Sequence, residues 1–199
     1  RVRQTPPIDR ENWIKVLSLN ANAFQFSNLG PKDQHPTTDY LAKSDADIIC
    51  LQEAWLSSNK SKYMSERSLQ HSLKEYPYYS SAYAVKDHGS RLIVLSKYPI
   101  LSTRPIDLHS KFNGGAVFTI LVGEKKLILY NLHLESFGFT KEEQKHYFQL
   151  AQEVNPKGFT QAVGGRFSPA FKRRAKQVEQ VYQDINYQES PYLLVCGDF

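Results

Sequence analysis

Residues 47–55 read DIICLQEAW: four apolar residues, Ile48 to Leu51, run almost directly into a single carboxylate, Glu53. An uninterrupted apolar run of this length fits a strand covered on both faces, since a strand with one wet face would alternate. A charge at the end of such a run needs a reason, because an unpaired carboxylate beside a core is costly. Three other runs end in the same way. VLSLN (16–20) ends on Asn20, LILYNLH (127–133) on Asn131 and His133, and LLVCGD (193–198) on Asp198.

The rest of the chain is a series of short apolar runs separated by turn residues and amphipathic stretches, without internal repeats. Expected strands are Ile14–Leu19, Asp47–Leu51, Leu92–Ser96, Ala116–Val122, Leu127–Leu132 and Tyr192–Cys196, punctuated by turns such as Asn113-Gly114-Gly115. The clearest helix is expected from Pro169 to Ile185, with Ser168 as N-cap and Pro169 at the first helical position. Phe171, Ala175, Val178, Tyr182 and Ile185 recur at helical spacing and are the expected buried face. Lys172, Arg173, Arg174 and Lys176 on the other side read as a solvated surface. A second helix is expected around Lys60–Lys74, and a third after Thr140, where Thr140 and Glu143 fit a capping box. The class is α/β.

Composition narrows the function only coarsely. The 25 basic and 20 acidic residues leave a net charge of +5, which favours anionic partners without selecting one. No apolar run approaches the roughly 18 residues of a membrane span. Cys50 and Cys196 each lie in an apolar run and read as core thiols rather than a disulfide. Residues 1–13 are polar and proline-bearing, as in a linker.

If the four strands lie in packed sheets with their carboxyl ends on one side, their polar tips converge, as the sites of open α/β sheets do. Singly, each tip has an ordinary reading as a turn former or cap. Jointly, they describe metal-assisted hydrolysis of a phosphate ester. Glu53 suits a hard divalent cation such as Mg²⁺, with Mn²⁺ as the alternative, and Asn20 adds an amide beside the metal without further negative charge. Asn131 and His133 suit contact with phosphoryl oxygen, and Asp198 suits orienting or deprotonating a water. His133 with Glu135 alone is not a zinc motif.

The segments LSLN, DIICLQEAW, SRLIVLSKYPI (90–100), FNGGAVFTIL (112–121), YNLHLES (130–136) and LLVCGDF (193–199), in this order, resemble the endonuclease/exonuclease/phosphatase superfamily, with its deoxyribonuclease-I-like fold. The resemblance implies a two-layer β-sandwich flanked by helices over residues 14–199, a divalent metal on Glu53, phosphate contacts from Asn131 and His133, and Asp198 acting on the water. It also implies a bacterial branch whose parent protein is membrane-anchored. In the family the GDF segment continues into an Asn and, later, an Asp and a second His; the domain is therefore expected to be truncated at Phe199 and weakly active by itself.

Nucleic acid, phospholipid and small phosphorylated molecules all remain open as substrates, and no protein partner is evident. Phe137, Gly138 and Phe139 read first as local core and second as a lipid-facing loop, Arg166 as surface before a phosphate contact, Asp87 and His88 as an exposed turn before a partner for a catalytic histidine, and Asn113 equally as the start of the Asn-Gly-Gly turn or a place at the substrate edge. The competing reading is a binding module that keeps the fold without catalysis.

Overall fold

The computed structural model describes residues 13–25, 35–56, 64–85, 89–136 and 156–199, with side chains from residue 169 onward in the last segment. Eight strands form two four-stranded sheets. The first contains β1 (Val16–Asn20), β2 (Ile48–Trp55), β3 (Tyr78–Tyr83) and β4 (Ser90–Ser96) in the order β1-β2-β4-β3. The second contains β5 (Ile100–Ile106), β6 (Gly114–Val122), β7 (Lys125–His133) and β8 (Leu193–Asp198) in that order. Helices α1 (Pro36–Lys43) and α2 (Glu66–Ser72) cover the first sheet, and α3 (Pro156–Asn186) lies against the second.

The period of two along each strand sorts side chains into separate layers. Ile49, Leu51, Ile93 and Leu95 face Leu41 of α1 and Leu69 of α2. Their neighbours Ile48, Cys50, Leu92 and Val94 face the other way and meet Ala116, Phe118, Ile120 and Leu129 of the second sheet. Val117, Ile128, Tyr130 and Leu132 then pack with Val181 of α3. Each fully buried Leu, Ile or Phe here contributes about 1.5–3 kcal/mol. Cys50 and Cys196 are free thiols in the layer between the sheets, as expected.

Several expectations are corrected. The second helix starts only at Glu66, capped by the Ser65 hydroxyl accepting from the Ser68 amide. The third, after Thr140, lies outside the described residues. Ser168 and Pro169 do not begin a helix: α3 runs through them from Pro156. Proline fits a first turn best, since in the interior it removes one ladder bond and crowds the carbonyl four residues earlier, yet α3 carries Pro169 inside it.

The buried face of α3 is also displaced by about one residue. Phe171, Val178 and Tyr182 are 56%, 54% and 59% exposed, whereas Ala170, Gln177 and Val181 are buried and only Ile185 of the expected set packs inward. The inner face carries polar residues because it hydrogen-bonds the second sheet. Asp184 accepts from the Arg104 guanidinium at 2.8 Å and from the Tyr130 hydroxyl at 2.6 Å. Burial alone would raise the Asp184 carboxyl, but Arg104 and Tyr130 outweigh it and hold it below its ordinary value of 3.8.

A depressed folded-state value means that this contribution is complete above about pH 4 and is lost as pH falls through the folded value. Asp184→Asn is therefore expected to cost about 1–3 kcal/mol at pH 7 and to make the fall in melting temperature below pH 4 shallower. Melting curves from pH 2 to 7 check this, and parallel profiles for the two proteins would refute it.

Candidate active site

β1 and β2 run parallel with Asn20 opposite Gln52, so the last residue of β1 sits beside Glu53. β7 and β8 also run parallel, with His133 opposite Asp198. Packing the two sheets face to face brings both pairs of carboxyl ends to one edge. The Asn20 amide nitrogen donates to Glu53 Oε1 at 3.0 Å and to Asp198 Oδ2 at 2.8 Å. His133 Nε2 lies 3.4 Å from Glu53 Oε1 and 4.0 Å from Asp198 Oδ2.

The backbone is bent to make this possible. Between Leu51 and Ala54, β2 slips in register against β4, so that Gln52 and Glu53 together oppose Leu92. Glu53 takes the left-handed φ of 48°, a strain of about 1–3 kcal/mol that recurs at functional sites. This bulge changes which face each residue occupies. In a regular strand Glu53 would share the face of Ile49 and Leu51, under α1 and α2. Instead Ala54 joins that apolar layer, and Glu53 is turned to the sheet edge.

Glu53, His133 and Asp198 place one ligand-type atom each within 4.8 Å of one another. Two negative carboxylates so close repel each other unless a cation or donors compensate, and a divalent cation fits between them chemically. His133 fits the part of a donor better than that of a ligand. Its Nδ1 is buried and has no hydrogen-bond partner among the described residues, whereas a ligating histidine almost always gives its other ring N–H to an acceptor. Its Nε2 faces the two carboxylates, where an N–H would donate.

Asn20 joins the cluster, and Asn131 lies deeper between the sheets. The Asn20 oxygen accepts from the Asn22 amide at 2.8 Å, so its nitrogen, not its oxygen, meets the carboxylates. In this arrangement it bridges the two acids at the expected metal position. Asn131 is fully buried and outside the cluster. Its oxygen accepts from Gln52 Nε2 at 2.7 Å, and its nitrogen donates to the carbonyls of Leu51 and Ile93 at 3.1 and 3.2 Å. These three bonds tie the Asn131 side chain to β2 and β4.

Two further groups were not expected from the sequence. Gln52, 1% exposed, bridges Ser18 and Asn131; its only sequence signal is a polar residue inside an apolar run. Glu135 turns away from His133 and is held by Ser110 at 2.6 Å and Arg173 at 3.2 Å, while the buried Gln177 accepts from its amide. Arg174 donates to the Glu135 carbonyl at 2.6 Å, so it does not belong to the solvated surface. Asn113 is buried and donates to the Leu134 carbonyl at 2.6 Å, steadying the segment after His133. Asp87, His88, the 137–139 stretch and the side chain of Arg166 lie outside the described residues.

The endonuclease/exonuclease/phosphatase family pattern matches residues 17–199. The chain belongs to that family. A protein from Drosophila melanogaster named "Putative neutral sphingomyelinase" is 27% identical over 192 residues, which cover 88% of this chain and 41% of the relative. The family domain described here thus spans less than half of that relative's length. Sphingomyelinase C from Streptomyces griseocarneus superposes with a TM-score of 0.58 at 15% identity, over 93% of this chain and 63% of its own. A hairpin-deletion mutant of beta toxin from Staphylococcus aureus gives 0.57 at 16% identity, over 94% and 67%. Both support the expected fold of two sheets with flanking helices. Among the described residues no helix is long and apolar enough to cross a membrane.

Proposed function

We propose that this chain carries the catalytic centre of a metal-dependent phosphodiesterase. The observation that supports it most is the Asn20 amide holding Glu53 and Asp198 together with His133 Nε2 within 4.0 Å of both carboxylates. A packed core has no need of two strand-tip carboxylates drawn to one donor. Glu53 is the residue to hold a divalent cation, Mg²⁺ first and Mn²⁺ as the alternative, with Asp198 beside it. The cation would supply charge stabilisation at the phosphoryl oxygens. Asp198 orients or deprotonates the attacking water, and His133 donates from Nε2 to a phosphate oxygen.

Phospholipid is the substrate class we place first, because the 27%-identical relative bears the name of a sphingomyelinase. Trp55, Tyr83 and Phe112 add apolar surface around the same edge: they are 43%, 50% and 62% exposed. Trp55 pairs with Ser90 and Tyr83 with Arg91 at the start of β4, and Phe112 lies just before Gly114, which pairs with His133.

A chelator series tests the chemistry. Hydrolysis of a chromogenic phosphodiester should stop in EDTA and return with Mg²⁺ or Mn²⁺, and activity that persists in EDTA would sink the proposal. No turnover of any diester by the full-length protein with either cation would favour the non-catalytic module. Running sphingomyelin vesicles beside a single-stranded oligonucleotide then decides the substrate class.

A further inference from the structure

We propose that Asn131 is a positioning residue for Glu53: from the opposite sheet, it holds the β2 bulge that turns the Glu53 carboxylate to the metal site. The inference rests on the metal reading above and adds to it a residue that touches neither metal nor substrate.

The three hydrogen bonds of Asn131 fall at the place where β2 leaves its regular register. Leu51 and Ile93 are the last paired residues before the slip, and the Asn131 nitrogen donates to the carbonyls of both. Gln52 is the first residue of the bulge, and its side-chain nitrogen donates to the Asn131 oxygen. One buried amide thus ties both strands at the base of the bulge and the residue immediately before Glu53.

The bulge decides which way Glu53 faces, since the change of face between Leu51 and Ala54 occurs across it. A left-handed φ at a glutamate persists only where the surroundings over-determine it, and Asn131 supplies that constraint from across the layer between the sheets. Asn131 also stands two residues before His133 on β7. The same bonds therefore fix β7 against β2, and with it the 3.4 Å approach of His133 to Glu53. A generic polar bridge would serve stability anywhere between the sheets. This one is centred on the distortion that forms the site.

The test separates site geometry from stability. Mn²⁺ affinity is measured by electron paramagnetic resonance on the wild-type chain, Asn131→Ala, the milder Asn131→Ser, and Leu73→Ala. Leu73 is a buried residue of the layer under α1 and α2 that makes none of the hydrogen bonds holding the bulge, and its truncation lowers the melting temperature. Removing an outer partner of a metal site weakens affinity about 10- to 100-fold, and that is the expected loss in the Asn131 variants. Leu73→Ala should bind Mn²⁺ as the wild type does. Amide exchange over residues 51–54 should accelerate in the Asn131 variants alone.

A folded Asn131 variant with wild-type affinity and wild-type exchange at 51–54 overturns the proposal. So does an equal loss of affinity in Leu73→Ala. If the wild-type chain binds no Mn²⁺, the metal reading fails instead, and exchange at 51–54 still decides whether Asn131 holds the bulge.

Discussion

Glu53→Gln should lower phosphodiester turnover by more than about 100-fold, because loss of even an outer partner of a metal ligand costs about 10- to 100-fold. The substitution keeps the size and the acceptor that Asn20 meets at 3.0 Å. What it removes is the charge a divalent cation would bind. The folded state should not suffer, since one of two carboxylates gathered on the same donor becomes neutral and their mutual repulsion goes. The melting temperature without metal should therefore stay level or rise while Mn²⁺ affinity falls, the trade expected where a site holds like charges together for function. Turnover and calorimetry on the same preparation check both halves. Wild-type turnover from a folded Glu53→Gln protein would remove Glu53 from the mechanism.

The sequence made the central strands and the edges β1 and β8 legible and hid the other two edges. β2, β4, β6 and β7 are covered on both faces, so their apolar runs stand out. β3 and β5 were not expected at all. Both are edge strands, with mostly half-buried or exposed side chains, and β5 contains Pro105, which only an edge tolerates easily. The α3 face was misplaced for a related reason: Gln177 and Asp184 face inward, so hydrophobic periodicity pointed to the apolar residues beside them.

For the site, the strand-tip pattern identified four groups that do meet: Asn20, Glu53, His133 and Asp198. It could not distinguish Asn131, at the same kind of position two residues before His133, from a tip residue. A strand alternates faces, and residues 131 and 133 share one; what separates them is depth. Asn131 is overlaid by the β2–β4 bulge, and no local sequence signal announces that bulge. The orientation of the Asn20 amide is likewise set by a contact, the Asn22 N–H, that depends on the turn after β1.

Gly197→Ala should be strongly destabilising. Gly197 has a φ of 151°, and a Cβ there would lie 2.0 Å from the carbonyl oxygen of Leu132, its partner across the β7–β8 ladder. The obstacle is backbone, which cannot rotate away as a flexible side chain would. Overpacking of this kind costs about 1–3 kcal/mol or more, and the unfavourable φ adds about 1–3 kcal/mol. In a domain of this size the melting temperature should fall on the order of 10 °C. The strands can relieve the clash only by separating beside the His133–Asp198 pair. That movement draws Asp198 from the Asn20 amide, which it meets at 2.8 Å, so the folded fraction should also lose turnover at saturating metal. Leu73→Ala, of comparable thermal cost but remote from the edge, should retain turnover per folded molecule. If Gly197→Ala melts like the wild type, β7 and β8 do not approach as closely at this point as the structure places them.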